Sequence, residues 1–111
     1  MDVNRLLEKI NKLEYHQRLL LKIVENPNMA FFKLVIENSL EEGDVEEFLN
    51  LCEKMDNEWE EQKAEGFVHF LPLFKKFCIQ LHSRLHPEMV IHACIKQKLF
   101  LPLMEELKKY V

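Results

Sequence analysis

The sequence predicts an all-α, multihelical chain of about six helices, two of them long and heptad-patterned, and three observations carry that prediction. Threonine is absent, serine occurs only at Ser39 and Ser83, and glycine occurs twice, while Leu, Glu and Lys abound. That composition suits helices and starves strands and turns. Apolar residues recur three and four apart over long stretches, and prolines or a glycine punctuate the intervals between them. With 48% hydrophobic residues and 111 positions, the chain 1–111 reads as a single all-helical domain able to bury about two-thirds of its unfolded surface.

The first helix is expected from Asp2 to Glu25. Val3, Leu6, Ile10, Leu13, Leu20 and Val24 alternate by three and four, and Gln17 takes the one slot where an apolar residue is due. This is the 3.5-residue period of a helix that packs along a partner helix. Leu7 and Leu21 widen the stripe, so more than one neighbour is expected. At 1.5 Å per residue the helix runs to about 35 Å.

Asn26-Pro27 ends it, because proline removes the next ladder donor and pushes its predecessor out of the helical region. Asn28 is the expected cap of a second helix, Met29 to Asn38, polar only at Lys33 and Glu37. After a turn at Leu40–Gly43, Asp44 and Glu47 fit a capping-box start. Val45, Phe48, Cys52, Met55 and Trp59 then resume the three-four alternation, and Gly66 suits the left-handed position that closes a helix near Glu65. In length and period this third helix is the natural companion of the first. Phe67 to His82 is a further apolar segment with Pro72 in a first turn; Pro87 to Gln97 and a last helix opened by Pro102 complete the chain. In the last, Leu103, Met104, Leu107 and Val111 form the apolar side. Phe-Leu-Pro-Leu occurs at Phe70–Leu73 and again at Phe100–Leu103, which is one helix-start solution used twice rather than a repeat architecture.

The net charge of −4 hides a gradient. Residues 41–65 hold eleven acidic and two basic residues, whereas residues 66–111 hold three acidic and seven basic. The acidic middle argues against a nucleic-acid partner, which would need clustered Lys and Arg. Cys52, Cys78 and Cys94 lie in apolar surroundings and are odd in number, as buried reduced thiols of a cytoplasmic protein would be. Charges alternate from Asp2 to Lys9, unlike a secretory signal, and no uncharged run nears the 18 or so residues of a membrane span.

Three constellations could carry chemistry. Cys78, His82 and His86, at one-turn spacing and with His92 and Cys94 beyond, are the weak metal candidates. Pro87 disfavours helix at His86 and spoils that geometry, and histidines in a last turn also gain from the helix dipole. Glu53, Asp56, Glu60 and Glu61 form a carboxylate cluster, with Glu58 beside it. Its Glu58-x-x-Glu61 and Glu53-x-x-Asp56 spacings resemble the magnesium-binding pairs of MazG-type nucleotide pyrophosphohydrolases, in reversed order and on one helix. With Cys52 and Trp59 inward, Glu53 and Glu60 point outward and cannot converge on an ion with a second helix. Phe31, Phe32, Phe67, Phe70, Phe74, Phe77 and Phe100 could line an apolar pocket, but aromatics at helical spacing first of all suit a core.

Over nearly its full length the chain resembles the YhaI-like family of small uncharacterised helical proteins from spore-forming bacteria. The likeness is carried by the Leu-rich first helix, Asn26-Pro27 before Phe31-Phe32, the acidic helix with Trp59, and the Phe67–Leu85 and His86–Gln97 segments. The resemblance implies an all-α fold assembled as an intertwined dimer, with no assigned activity, cofactor or functional residues. The expectation is a cytoplasmic homodimer acting as a protein-interaction or regulatory module, with Leu6, Ile10, Leu13, Gln17, Leu20 and Val24 at the dimer interface. No cofactor, nucleic acid or membrane is expected as a partner, and an enzyme is the less favoured of two open readings. The rival is a small-molecule or metal binder, including a MazG-like hydrolase.

Overall fold

The computed structural model describes residues 2–111, which form six α-helices: α1 (Val3–Glu25), α2 (Ala30–Glu37), α3 (Glu42–Ala64), α4 (Leu71–Gln80), α5 (Pro87–Gln97) and α6 (Leu101–Lys108). Helix α2 lies between α1 and α5, α5 packs on α6, and α6 and α4 pack on α3. The molecule measures 55 × 32 × 20 Å, with a radius of gyration of 15.7 Å. A compact chain of this length would have a radius near 13 Å. The excess comes from α1, whose residues 3–11 are all exposed and which joins the body through its second half.

Local chemistry explains most helix ends. The Asp2 side chain accepts the Asn4 N–H at 3.0 Å, capping α1. Helix α3 begins earlier than the Asp44 start expected from sequence. Glu41 is its N-cap, and the Asp44 carboxylate accepts the Glu41 N–H at 2.9 Å in a reciprocal capping box. Gly43 thus lies in the first helical turn rather than in a loop. Gly66, at φ 94°, closes α3 as expected.

Helix α2 departs from its predicted cap. Asn28 does not cap it; the Asn28 N–H instead donates to the Asn26 side chain, and the N-cap Met29 has no side chain to offer. The missing acceptor comes from Gln97, whose Oε1 takes the N–H groups of Phe31 at 2.9 Å and Phe32 at 3.1 Å. Helix α4 is shorter than the expected Phe67–His82 segment. Its start is pinned instead by Tyr110, whose hydroxyl accepts the Phe70 N–H at 2.9 Å and donates to Glu106. Helix α5 ends at Lys98 in the left-handed region (φ 63°), and Phe100 before α6 is left-handed as well (φ 48°). Neither is a glycine, so the short link is strained.

The core is mostly aromatic and aliphatic. Phe31 stacks on Phe48 with ring centroids 5.0 Å apart, Phe48 meets Phe77 edge-on at 6.4 Å, and Trp59 meets Phe70 edge-on at 6.3 Å. Phe31, Phe70 and Phe77 are buried, Phe32, Phe74 and Phe100 pack partly against them, and Phe67 is exposed. These rings fill the interior rather than line a pocket. The α3 stripe Val45, Phe48, Cys52, Met55 and Trp59 points inward throughout, as its spacing predicts. Leu103, Met104 and Leu107 of α6 are buried too, but Val111 is exposed beyond the end of the helix.

Candidate functional site

Helix α1 has two apolar faces, and the chain uses one. The buried residues of α1 are Tyr15, His16 and Leu19, with Lys12 and Ile23 partly covered. This face packs on α2 and reaches the α2–α3 link. His16 Nε2–H donates to the Leu40 carbonyl at 2.6 Å, and Lys12 Nζ donates to Ser39 Oγ at 2.9 Å. Arg18 pairs with Glu42 at 3.1 Å across to the start of α3. The sequence made α3 the natural companion of α1. Its main neighbour is α2, and Arg18 touches only the first turn of α3.

The heptad stripe lies on the other face. Successive helical residues turn by about 100°, which sets Leu6, Ile10, Leu13, Gln17, Leu20 and Val24 on the side opposite Leu19. Leu6 is 45% exposed, Ile10 41%, Leu13 66%, Leu20 49% and Val24 81%, and Val3, Leu7 and Leu21 are exposed beside them. Gln17 is exposed in the middle of the stripe. Scattered surface leucines need no explanation, but a continuous apolar stripe along the whole of a 23-residue helix does.

The metal candidates do not assemble. Among the described residues no group of three His, Cys, Asp or Glu side chains is placed to hold an ion. His82 Nδ1 accepts the Arg84 N–H at 3.0 Å and its Nε2 faces Asp44 Oδ1 at 3.5 Å, so both ring nitrogens are engaged away from Cys78 and His86. His86 is exposed at the N-cap of α5. On α3, Glu53, Glu60 and Glu61 are exposed, and Glu58 is drawn off by Lys76 at 2.6 Å. Glu53, Glu58 and Glu61 border an open surface hollow of about 430 Å³ whose other lining residues are Asn50, Lys54 and Asn57, all from one helix. A second hollow of about 290 Å³, between α1 and the start of α3, is lined by charged and amide side chains with Gly43.

All three cysteines are free thiols. Burial pushes the Cys94 thiol up to about 12 and the Cys52 thiol higher still. Cys78 is half-buried rather than enclosed, and burial raises its thiol too. Enclosed as they are, Cys52 and Cys94 serve as packing groups rather than nucleophiles.

What the geometry presents is therefore an all-helical protein with an open apolar helix face and no group of three potential metal ligands among its described residues. The chain belongs to the family described as a protein of unknown function (DUF1878), whose model matches residues 1–111.

Proposed function

We propose that the protein is a homodimeric protein-interaction or regulatory module of the bacterial cytoplasm, and that the outward stripe of α1 is its dimer interface. One observation carries the reading: Leu6, Ile10, Leu13, Leu20 and Val24 form a heptad seam, broken only at Gln17, that stays 41–81% exposed in the chain. Eight large apolar side chains of α1 are exposed, and covering the open half of each is worth on the order of 1 kcal/mol. Two copies together then offset the roughly 4–15 kcal/mol that association costs. The resemblance to YhaI-like proteins supports both the bacterial setting and the dimer. The acidic α3 speaks against nucleic acid, and among the described residues no helix is long and apolar enough to cross a membrane.

Light scattering at micromolar concentration tests the proposal. The expected mass is twice the 13.4 kDa of the chain. A folded monomer would overturn the reading. Native mass spectrometry of the same sample separates the rival, because a retained metal ion or small molecule would favour a binding protein.

A further inference from the structure

We infer that the two α1 helices pair in parallel and in register, with Gln17 facing Gln17 of the second copy and Lys9 facing its Glu14. This rests on the dimer reading above and adds the direction of the pairing, which the stripe alone leaves open.

In heptad positions Val3, Ile10, Gln17 and Val24 are a, and Leu6, Leu13 and Leu20 are d; Lys9 and His16 are g, and Leu7, Glu14 and Leu21 are e. Parallel pairing sets each a residue against its own copy. The two Gln17 side chains then meet at one layer, and each amide can donate to and accept from the other. Antiparallel pairing sets a against d. In the register that keeps most of the stripe, Gln17 meets Leu13 and its amide is buried without a partner, once on each side.

Charge points the same way. In a parallel pair the g residue of one helix lies beside the next e residue of the other, so Lys9 approaches Glu14 of the second copy twice over. Both side chains are exposed, and neither forms an ion pair within its own chain among the described residues. In the antiparallel register e faces e, which brings Glu14 against Glu14. That arrangement does let Leu7 cover Leu21, but it does so beside two like charges and two orphaned amides.

The width of the stripe also fits. On its g side α1 is occupied by its own body, through His16 and the half-buried Ile23. The e side is open, with Leu7 and Leu21 exposed. Parallel pairing runs the open e flank of one helix along the g flank of the other. There Leu21 is covered by the partner's body.

Disulfide capture decides it on the full chain, in a Cys78→Ser background that removes the one half-buried thiol. Leu20→Cys places a thiol in a d layer, where a parallel in-register pair brings the two sulfurs within bonding reach and mild oxidation is expected to give a covalent dimer. Ile10→Cys, in an a layer whose two copies an antiparallel pair would separate as widely, serves as the second variant, should Leu20→Cys weaken assembly, and is expected to behave likewise. Antiparallel pairing separates the two copies of residue 20 by roughly 15 Å or more along the axis and forbids the bond. A dimer by light scattering that forms no disulfide in either variant overturns the parallel pairing and leaves the dimer standing. A monomer by light scattering overturns both. Charge exchange gives an independent reading: Glu14→Lys should weaken the dimer about tenfold, and adding Lys9→Glu should restore it. No restoration counts against the parallel register.

Discussion

Gln97 Oε1 accepts the Phe31 N–H at 2.9 Å, joining the last turn of α5 to the first turn of α2 across 66 residues of sequence. The same oxygen accepts the Phe32 N–H, so one side chain satisfies two of the donors that a helix start leaves without partners. Gln97→Ala removes the acceptor while both donors stay part-buried, and stability should fall by about 1–2 kcal/mol in urea unfolding. Gln97→Glu retains an acceptor and should recover most of that loss. Equal losses in the two variants would show that Gln97 contributes packing and not capping.

Lys98 occupies a left-handed backbone position that glycine adopts without cost. Lys98→Gly should therefore raise stability by about 0.5–1 kcal/mol, a gain of a few degrees in thermal unfolding. A loss of that size would mean that the Lys98 side chain holds the α5–α6 link by contacts worth more than the backbone strain.

The thiols should divide into two groups. Cys78, half-buried, should label first under native conditions, and Cys52 and Cys94 only as the chain unfolds. Rapid native labelling of two thiols would contradict the enclosed positions of Cys52 and Cys94. Their raised ionisation has a consequence for stability. A folded-state value near 12 for Cys94 against the ordinary 9.0 means that the unfolded chain loses its proton first. The contribution is fully present below pH 9 and declines as pH rises toward 12, by up to about 1.4 kcal/mol per unit for each buried thiol. Denaturant titrations at pH 8 and pH 10 should differ accordingly, and Cys94→Ala should shrink the difference.

His82→Ala and His86→Ala should each leave assembly unchanged. His82 loses its contacts to Asp44 and the Arg84 N–H, an effect of about 1 kcal/mol, while the exposed His86 should matter less. Elemental analysis is the decisive check. Stoichiometric zinc in the natural protein that disappears in either variant would establish a site that the single chain leaves unassembled.

Leu13→Asp should produce a folded monomer. Leu13 is 66% exposed in the chain, so the charge meets water in the monomer and an apolar layer in the dimer. Circular dichroism should stay helical while the scattering mass halves. Gln17→Leu should act in the opposite sense, holding or raising stability while admitting other oligomer sizes, because a polar layer restricts strand number. Leu13→Asp that unfolds at all concentrations would place Leu13 inside the chain's own core.

Much of the helical plan is local and was legible in the residues. Pro27 ends α1, Pro72, Pro87 and Pro102 sit in first turns, and Gly66 closes α3, because each restricts or frees a backbone angle wherever it stands. The α3 stripe from Val45 to Trp59 was equally plain, since one apolar face on a long helix has one way to turn. The heptad of α1 was just as visible, but not which face of α1 its own chain would cover. Periodicity shows that a face is apolar and not which surface will cover it. Tertiary packing took the less conspicuous face, Tyr15, His16 and Leu19, into the core and left the leucine stripe outside. The cap on α2 was hidden for another reason: its acceptor is Gln97, and no local pattern around Phe31 points to a side chain 66 residues away. The left-handed turns at Lys98 and Phe100 were unreadable because neither residue favours that conformation; the packing of α5 on α6 imposes it.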